Sequence, residues 1–312
     1  MRIEYHRTLI ADGVRNTAFH DALAAVILRG KTVVADIGAG TGLIGLMASK
    51  LGAREVYLYE AAEVAGVAAA VLKANKAKGC QLIPGHSTEM DDPPLADVVV
   101  SETLGNYALE ENIIDTLADA QRRHLKSGGV MIPQRIRQFV CPVVSDRFHN
   151  ELTVWDGVGF GIDLAVARTM SLNNAYVRSF TADDLFDGGE AAKLWDTVTL
   201  GAETRANRKG EATWKIDRPV TVHGFAYWWE ADLSDTITLS TSPAAPRTHW
   251  EQLFFPLLSP ISLEPGESLL VTLRSRSSED EGTHLAWTAV HFGRDGGSKG
   301  RQAMDLDKGW IP

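Results

Sequence analysis

Residues 33–60, VVADIGAGTGLIGLMASKLGAREVYLYE, read as strand, turn, helix and strand. Val33, Val34 and Ala35 form a short apolar run that opens into Gly38, Gly40 and Gly42. Leu43, Leu46, Met47 and Leu51 follow at helical spacing, and a second apolar run, 56–59, ends on Glu60. Glycines in such a turn let the backbone come close to a ligand where side chains would collide. Glu60, at the carboxyl end of the second strand, is placed to accept hydrogen bonds from a ribose diol.

The dinucleotide fingerprint wants a third glycine three positions after the second, and that position is Leu43. A pyrophosphate therefore fits poorly. S-adenosylmethionine carries no phosphate. It needs a tight turn beneath its methionine part, a carboxylate near its polar groups and an acid for its ribose, and Asp36, Gly38, Gly40 and Glu60 supply those. Glycine-rich turns also occur in α/β proteins that bind nothing; here the glycines and the distal acid occur together.

Composition bounds the rest. The chain has 312 residues, enough for two domains or one large one with a full core. Forty acids against thirty-one Lys and Arg leave a net charge of −9, which disfavours a nucleic-acid partner and suits a cationic substrate. Cys80 and Cys141 are too few for a disulfide framework and lack metal-site spacing, so no metal is expected. The N-terminal MRIEYHRTL has no apolar core of a signal peptide, and no run is long enough to cross a bilayer. A cytoplasmic enzyme with no membrane partner is the expectation.

Outward from the central stretch, Val14, Ala18, Ala22, Ala25 and Val26 form a stripe that predicts a helix packed on the glycine-rich domain. Asp12 and Arg15 lie near its start. After Glu60 come an alanine-rich helix over about 63–78, a short strand near 81–83, and a buried-type strand over 96–101 that delivers the sequence SETLGNYALEEN. Ligands of open parallel sheets sit at the carboxyl ends of strands, which places Glu102 beside the cofactor. A helix is predicted over about 112–125, stopped by Gly128 and Gly129. Pro133 marks a boundary. Beyond it lie β-rich runs at 135–144, 212–216, 220–231, 236–241, 251–257, 268–274 and 285–292, suggesting a barrel or sandwich. The stretch 160–195 is partly helical, an excursion from that sheet.

Glu102, Glu110 and Glu111 share one loop near the proposed cofactor. Carboxylates in such a crevice imply a cation, a metal or a shared proton, and a guanidinium, planar and permanently charged, matches them best. Glu110 and Glu111 also suit a polar helix start. Between two of the later strands stands Pro246-Arg247-Thr248-His249-Trp250.

In combination these motifs resemble the protein arginine methyltransferase family. Ser101 and Glu102, followed nine residues later by Glu111, match its acidic loop; IIDTLADAQRRHLKSGGVMIP follows the same family segment; Thr248, His249 and Trp250 match its Thr-His-Trp loop; and His6, Asp12, Val14 and Arg15 match its first helix. The resemblance implies an α/β Rossmann-like methyltransferase domain (1–133) followed by a β-barrel substrate domain (134–312), with a helical arm, about 160–195, that forms a homodimer. It implies S-adenosyl-L-methionine as cofactor, S-adenosyl-L-homocysteine as product, and arginine or an arginine-containing substrate.

By the same resemblance Arg15 binds the methionine carboxylate, with His6 beside it, Glu60 the ribose, and Ser87 to Glu89 the adenine. Glu102 and Glu111 hold the guanidinium, His249 pairs with Asp12, and Trp250, Leu9 and Ile113 border the substrate. The sequence departs from the family in the short segment ahead of His6, in Thr103 and Asn106 where the family has Trp and Tyr, and in Leu9 and Ile113 where it has methionines. Those departures tilt the expected substrate toward free L-arginine or a small guanidino compound, with a protein arginine side chain as the other option. A methyltransferase of another small nucleophile, or a catalytically idle dimeric binding protein, are the alternative readings.

Overall fold

The computed structural model describes residues 3–278 and 281–306. Residues 1 and 2 of the segment ahead of His6 lie outside them. Two helices lead the chain, α1 (Ile3–Ala11) and α2 (Gly13–Val26). Alternating strands and helices follow: β1 (Val33–Ile37), α3 (Leu43–Leu51), β2 (Glu55–Glu60), α4 (Ala65–Ala74), β3 (Cys80–Pro84), β4 (Ala96–Ser101), α5 (Ile113–Arg123) and β5 (Leu125–Ile132). The five strands form one parallel sheet in the order β3-β2-β1-β4-β5. All five residues of β1 are buried, as the central strand of a sheet covered on both faces must be. The order reverses between β1 and β4, so the carboxyl ends of these two strands flank a crevice.

The sheet departs from expectation at both flanks. The buried face of α2 is Arg15, Phe19, Ala22 and Leu23, while Val14 and Ala25 face outward. Apolar spacing missed this face because one of its members is a charged residue with a buried partner. Gly128 and Gly129 do not end α5; the helix stops at His124, whose amide donates to the Ala120 carbonyl, and both glycines lie inside β5.

The second half holds two antiparallel sheets. One is made by β6 (Arg135–Val143), β7 (Tyr176–Arg178), β8 (Lys193–Thr199), β10 (Val220–Asp232), β11 (Thr238–Ser240) and β12 (Gln252–Leu263), ordered β7-β12-β10-β6-β8 with β11 on β10. The other is ordered β15-β14-β13-β9, from β9 (Asn207–Lys215), β13 (Ser268–Ser278), β14 (Gly282–Phe292) and β15 (Ser298–Asp305). The sheets share a core: Phe255 of β12 stacks on Trp287 of β14, and Phe225 of β10 on Trp214 of β9.

The helical excursion occupies α6 (Arg147–Leu152) and α7 (Ala165–Leu172). It therefore begins and ends earlier than the predicted arm of 160–195. Residues 193–199 are β8, paired along β6 inside the large sheet. The base is pinned by Arg147, whose guanidinium binds the buried Asp184 carboxylate at 2.6 and 2.7 Å. Ion pairing, with hydrogen bonds from Thr181, outweighs burial and holds Asp184 down at about 2.

Candidate active site

The site is built where β1, β2 and β4 deliver their carboxyl ends. After β1 the chain turns through Gly38 (φ +73°) and Gly40 (φ +55°), left-handed conformations that L side chains rarely adopt. A Cβ on Gly38 would stand 2.6 Å from the Thr103 methyl group, so the absence of a side chain lets the loop after β4 close over the turn. Glu60 locks the turn from the other side: its carboxylate accepts from the amides of Gly40 at 2.7 Å and Ala62 at 2.8 Å.

A cavity of about 320 Å³ opens above this turn. His6, Leu9, Arg15, Gly38, Gly40, Glu60, Ser87, Glu102 and Glu111 all line it, which joins residues from the first helices, the glycine turn and the acidic loop. The remaining sequence candidates lie elsewhere. Asp36 is buried under the turn, where its carboxylate accepts from the Gly45 amide at 2.8 Å and anchors α3. Burial pushes it up to about 7. Glu89 folds back to the His86 amide in a capping box and is not among the residues that line the cavity. Ile113 is fully buried at the start of α5, in the core rather than on a substrate wall.

Asp12, His249 and Trp250 form a clasp outside the cavity wall. The Asp12 carboxylate caps α2 through the Arg15 amide at 2.9 Å and accepts from both the backbone amide and Nδ1 of His249, each at 2.7 Å. Burial opposes the charge on Asp12, but these three donors outweigh it and hold Asp12 below the ordinary aspartate range. Burial lowers His249, and the Asp12 bond restores only part of the loss. The predicted pairing is present, while the ring is a brace between helix and loop. Trp250 likewise packs against Trp229 and donates Nε1–H to the Leu104 carbonyl at 2.8 Å. It supports the acidic loop and does not border the cavity.

Besides Glu60, two carboxylates of the acidic loop line the cavity. The side chain of Glu102 is only 3% exposed and that of Arg15 7%; Arg15 Nε donates to Glu102 Oε2 at 2.6 Å and Nη2 donates to the same oxygen. Burial pushes Glu102 up to about 7, with Arg15 offsetting part of that cost. Glu111 is held at φ +56° and Asn112 at φ +53°, two successive left-handed residues that aim a carboxylate back at the cavity instead of continuing toward α5. Burial raises Glu111, and the charge of Glu60 adds to it. Among the described residues its carboxylate has no hydrogen-bond partner.

Sequence reasoning missed what holds this loop. Trp229 Nε1 donates to the Gly105 carbonyl at 3.0 Å, the Glu251 amide donates to Asn106 Oδ1 at 2.9 Å, and the Ala108 amide donates to the Tyr227 hydroxyl at 3.1 Å. The cluster Tyr227-Trp228-Trp229-Glu230 was the available signal, since buried Tyr and Trp need partners for their polar atoms. Among the described residues no cluster of His, Cys, Asp and Glu suits a metal ion.

The fold and the site define a Rossmann-like methyltransferase domain with an appended antiparallel domain that closes over its acidic loop. The profile of the arginine methyltransferase oligomerization subdomain matches residues 135–289, and that of ribosomal protein L11 methyltransferase (PrmA) matches 20–153. Protein arginine N-methyltransferase 6 of Xenopus tropicalis is 28% identical over 91% of this chain and 86% of its own. Protein arginine N-methyltransferase PRMT10 of Arabidopsis thaliana is 28% identical over 88% and 81%. A Trypanosoma brucei PRMT1 enzyme-prozyme heterotetrameric complex with AdoHcy shares the fold, with a TM-score of 0.86 at 22% identity over 97% of this chain and 98% of that one. Along nearly its whole length the chain is thus similar to protein arginine methyltransferases.

Proposed function

We propose that the protein is an S-adenosylmethionine-dependent arginine N-methyltransferase that methylates a terminal guanidino nitrogen of an arginine held in a polypeptide. One observation carries the reading: Glu102 and Glu111 line the same cavity as the glycine turn and Glu60. The cavity fits the cofactor. His6 Nε2 and Ser87 Oγ line it as buried atoms without a hydrogen-bond partner, and each oxygen of Glu60 already accepts one amide and keeps a lone pair for a ribose hydroxyl. Arg15 and His6 would hold the methionine end, Glu60 the ribose, and Ser87 the base.

Bound there, S-adenosylmethionine supplies an electrophilic sulfonium methyl group. The protein supplies alignment and electrostatics. Glu102 and Glu111 pair with the guanidinium, fix which terminal nitrogen faces the methyl group, and draw positive charge onto the other nitrogens. The proton released passes to a carboxylate oxygen of Glu111, which lines the cavity and has no hydrogen-bond partner among the described residues. His249 is committed to Asp12 through Nδ1 and lies outside the cavity wall, so it serves by fixing α2.

The sequence tilts toward free arginine; the charges favour a peptide. Free arginine brings an α-carboxylate that needs a cation, and Arg15 is the only Lys or Arg among the described residues lining the cavity. It is already bound to Glu102 and is the group that meets the cofactor's own carboxylate. The test is mass spectrometry of products with free L-arginine and a glycine-arginine-rich peptide in parallel. Methylated peptide with inert free arginine is expected. Free arginine preferred in kcat/KM would restore the small-molecule reading.

We also infer a homodimer in which the arm of one copy seats on the Rossmann-like domain of the other. Val154, Val158, Phe160, Ile162 and Val166 are exposed on the arm, Phe160 at 94%. An apolar groove of about 600 Å³ lined by Leu43, Leu46, Met47, Leu51, Val67 and Val71 runs between α3 and α4. An exposed apolar run and an apolar groove on one chain are the complementary faces that a two-fold pairing of copies can bury.

A further inference from the structure

A buried chain of hydrogen bonds crosses the second domain and ends on the acidic loop. At its far end Arg208 of β9 binds the Asp196 carboxylate of β8 through Nε at 2.8 Å and Nη2 at 2.6 Å. Asp196 Oδ2 accepts from Gln138 Nε2 of β6 at 2.8 Å. Gln138 Oε1 accepts from the Tyr227 hydroxyl of β10 at 2.7 Å, and that hydroxyl accepts from the Ala108 amide at 3.1 Å. Gln138, Tyr227 and Ala108 are each 0% exposed, so water cannot replace the links between them.

The chain has a single polarity. Arg208 donates to both oxygens of the Asp196 carboxylate, which therefore presents an acceptor to Gln138. Gln138 must then turn its amide nitrogen to Asp196 and its oxygen to Tyr227. That commits the Tyr227 proton to Gln138 and leaves an oxygen lone pair facing the Ala108 N–H. An ion pair between β8 and β9 thus dictates what the loop amide meets.

We propose that Asp196, Gln138 and Tyr227 are positioning residues for Glu111. The reasoning rests on the reading of Glu102 and Glu111 as the guanidinium site. The loop is tied to the second domain at Leu104, Gly105, Asn106, Tyr107, whose hydroxyl donates to Ser275 Oγ of β13, and Ala108. Ala108 is the last of these anchors before the left-handed pair Glu111 and Asn112. Without it, two residues in a disfavoured conformation are free to relax, and the Glu111 carboxylate leaves its place opposite Glu102.

The test compares Tyr227→Phe, Gln138→Leu and Asp196→Asn with Glu111→Gln by single-turnover methyl transfer at saturating S-adenosylmethionine and peptide. Calorimetric stoichiometry for S-adenosylhomocysteine normalises for folded protein. Tyr227→Phe is expected to slow transfer about tenfold or more, the effect of one lost buried hydrogen bond on placement, with cofactor affinity within about twofold. Asp196→Asn, which touches neither loop nor cavity, is expected to slow transfer several-fold by releasing the amide orientation of Gln138. Asp196→Asn is also the variant that decides if the others do not fold. Normal single-turnover rates in folded Tyr227→Phe and Asp196→Asn overturn the proposal. Near-normal rates in Glu111→Gln overturn instead the guanidinium reading on which it rests.

Discussion

At the scale of single residues, the two glutamates are not equivalent, although their sequence positions present them as a pair. Glu102 is tied to Arg15, which the proposed function assigns to the cofactor's carboxylate, whereas Glu111 has no hydrogen-bond partner among the described residues. Glu111→Gln is therefore expected to abolish turnover, by at least about a hundredfold, while leaving cofactor affinity unchanged, because a Gln keeps the shape and loses the charge that holds a cation. Glu102→Gln is expected to abolish turnover and also shift cofactor affinity, since it frees the Arg15 guanidinium. Titration calorimetry beside initial rates separates the two. The pH profile follows from the same group. Glu102 must be ionised to hold a guanidinium, and its carboxyl stands at about 7, so kcat/KM for the arginine substrate is expected to rise with pH and level off above that value. A profile flat from pH 6 to 9 would remove Glu102 from the free enzyme's titrating groups. These carboxylates were legible in sequence because Ser101-Glu102 and Glu111 keep a fixed spacing. The exclusion of Trp250 and Ile113 from the cavity was not, since spacing along the chain carries no information on which way a side chain turns.

At the scale of elements, the glycine turn and α4 give contrasting expectations for the same substitution. Gly38→Ala must place a Cβ at φ +73° against Thr103, so loss of cofactor binding and of stability is expected. Gly66→Ala in α4 meets nothing within 4 Å and is expected to stabilise by about 0.5–1 kcal/mol, the helix-propensity difference. Thermal unfolding measures both; a stabilised Gly38→Ala would contradict the turn geometry. Four strands of the parallel sheet were readable from their apolar runs, β1 and β4 most plainly because they are buried on both faces, whereas β5, which carries Ser127, Gly128 and Gly129, was not read as a strand. Strands β8 and β15, with alternating or mostly exposed residues such as Lys193, Ser298 and Lys299, gave no such run and were missed. The helix α2 was found, but its buried face was set by the Arg15–Glu102 ion pair, which no hydrophobic pattern announces.

At the scale of the whole molecule, the proposed homodimer rests on an arm whose apolar residues, Phe160 above all, are exposed in the described structure. Phe160→Asp, with Val166→Asp as a second site, is expected to leave the fold intact and shift sedimentation from dimer to monomer at micromolar concentration. Unchanged sedimentation in both variants would place the dimer contact elsewhere. The clasp between Asp12 and His249 has a consequence in time. The bonded groups stand 237 positions apart in the chain. A chain growing from its amino end folds the parallel sheet from contiguous segments, yet α2 cannot be clasped, nor the acidic loop tied to Trp229 and Trp250, until most of the second domain has been synthesised. Nascent chains halted before residue 248 are thus expected to resist protease over 33–132 while failing to transfer methyl groups, so the cell acquires the scaffold early in translation and the catalyst only near its end.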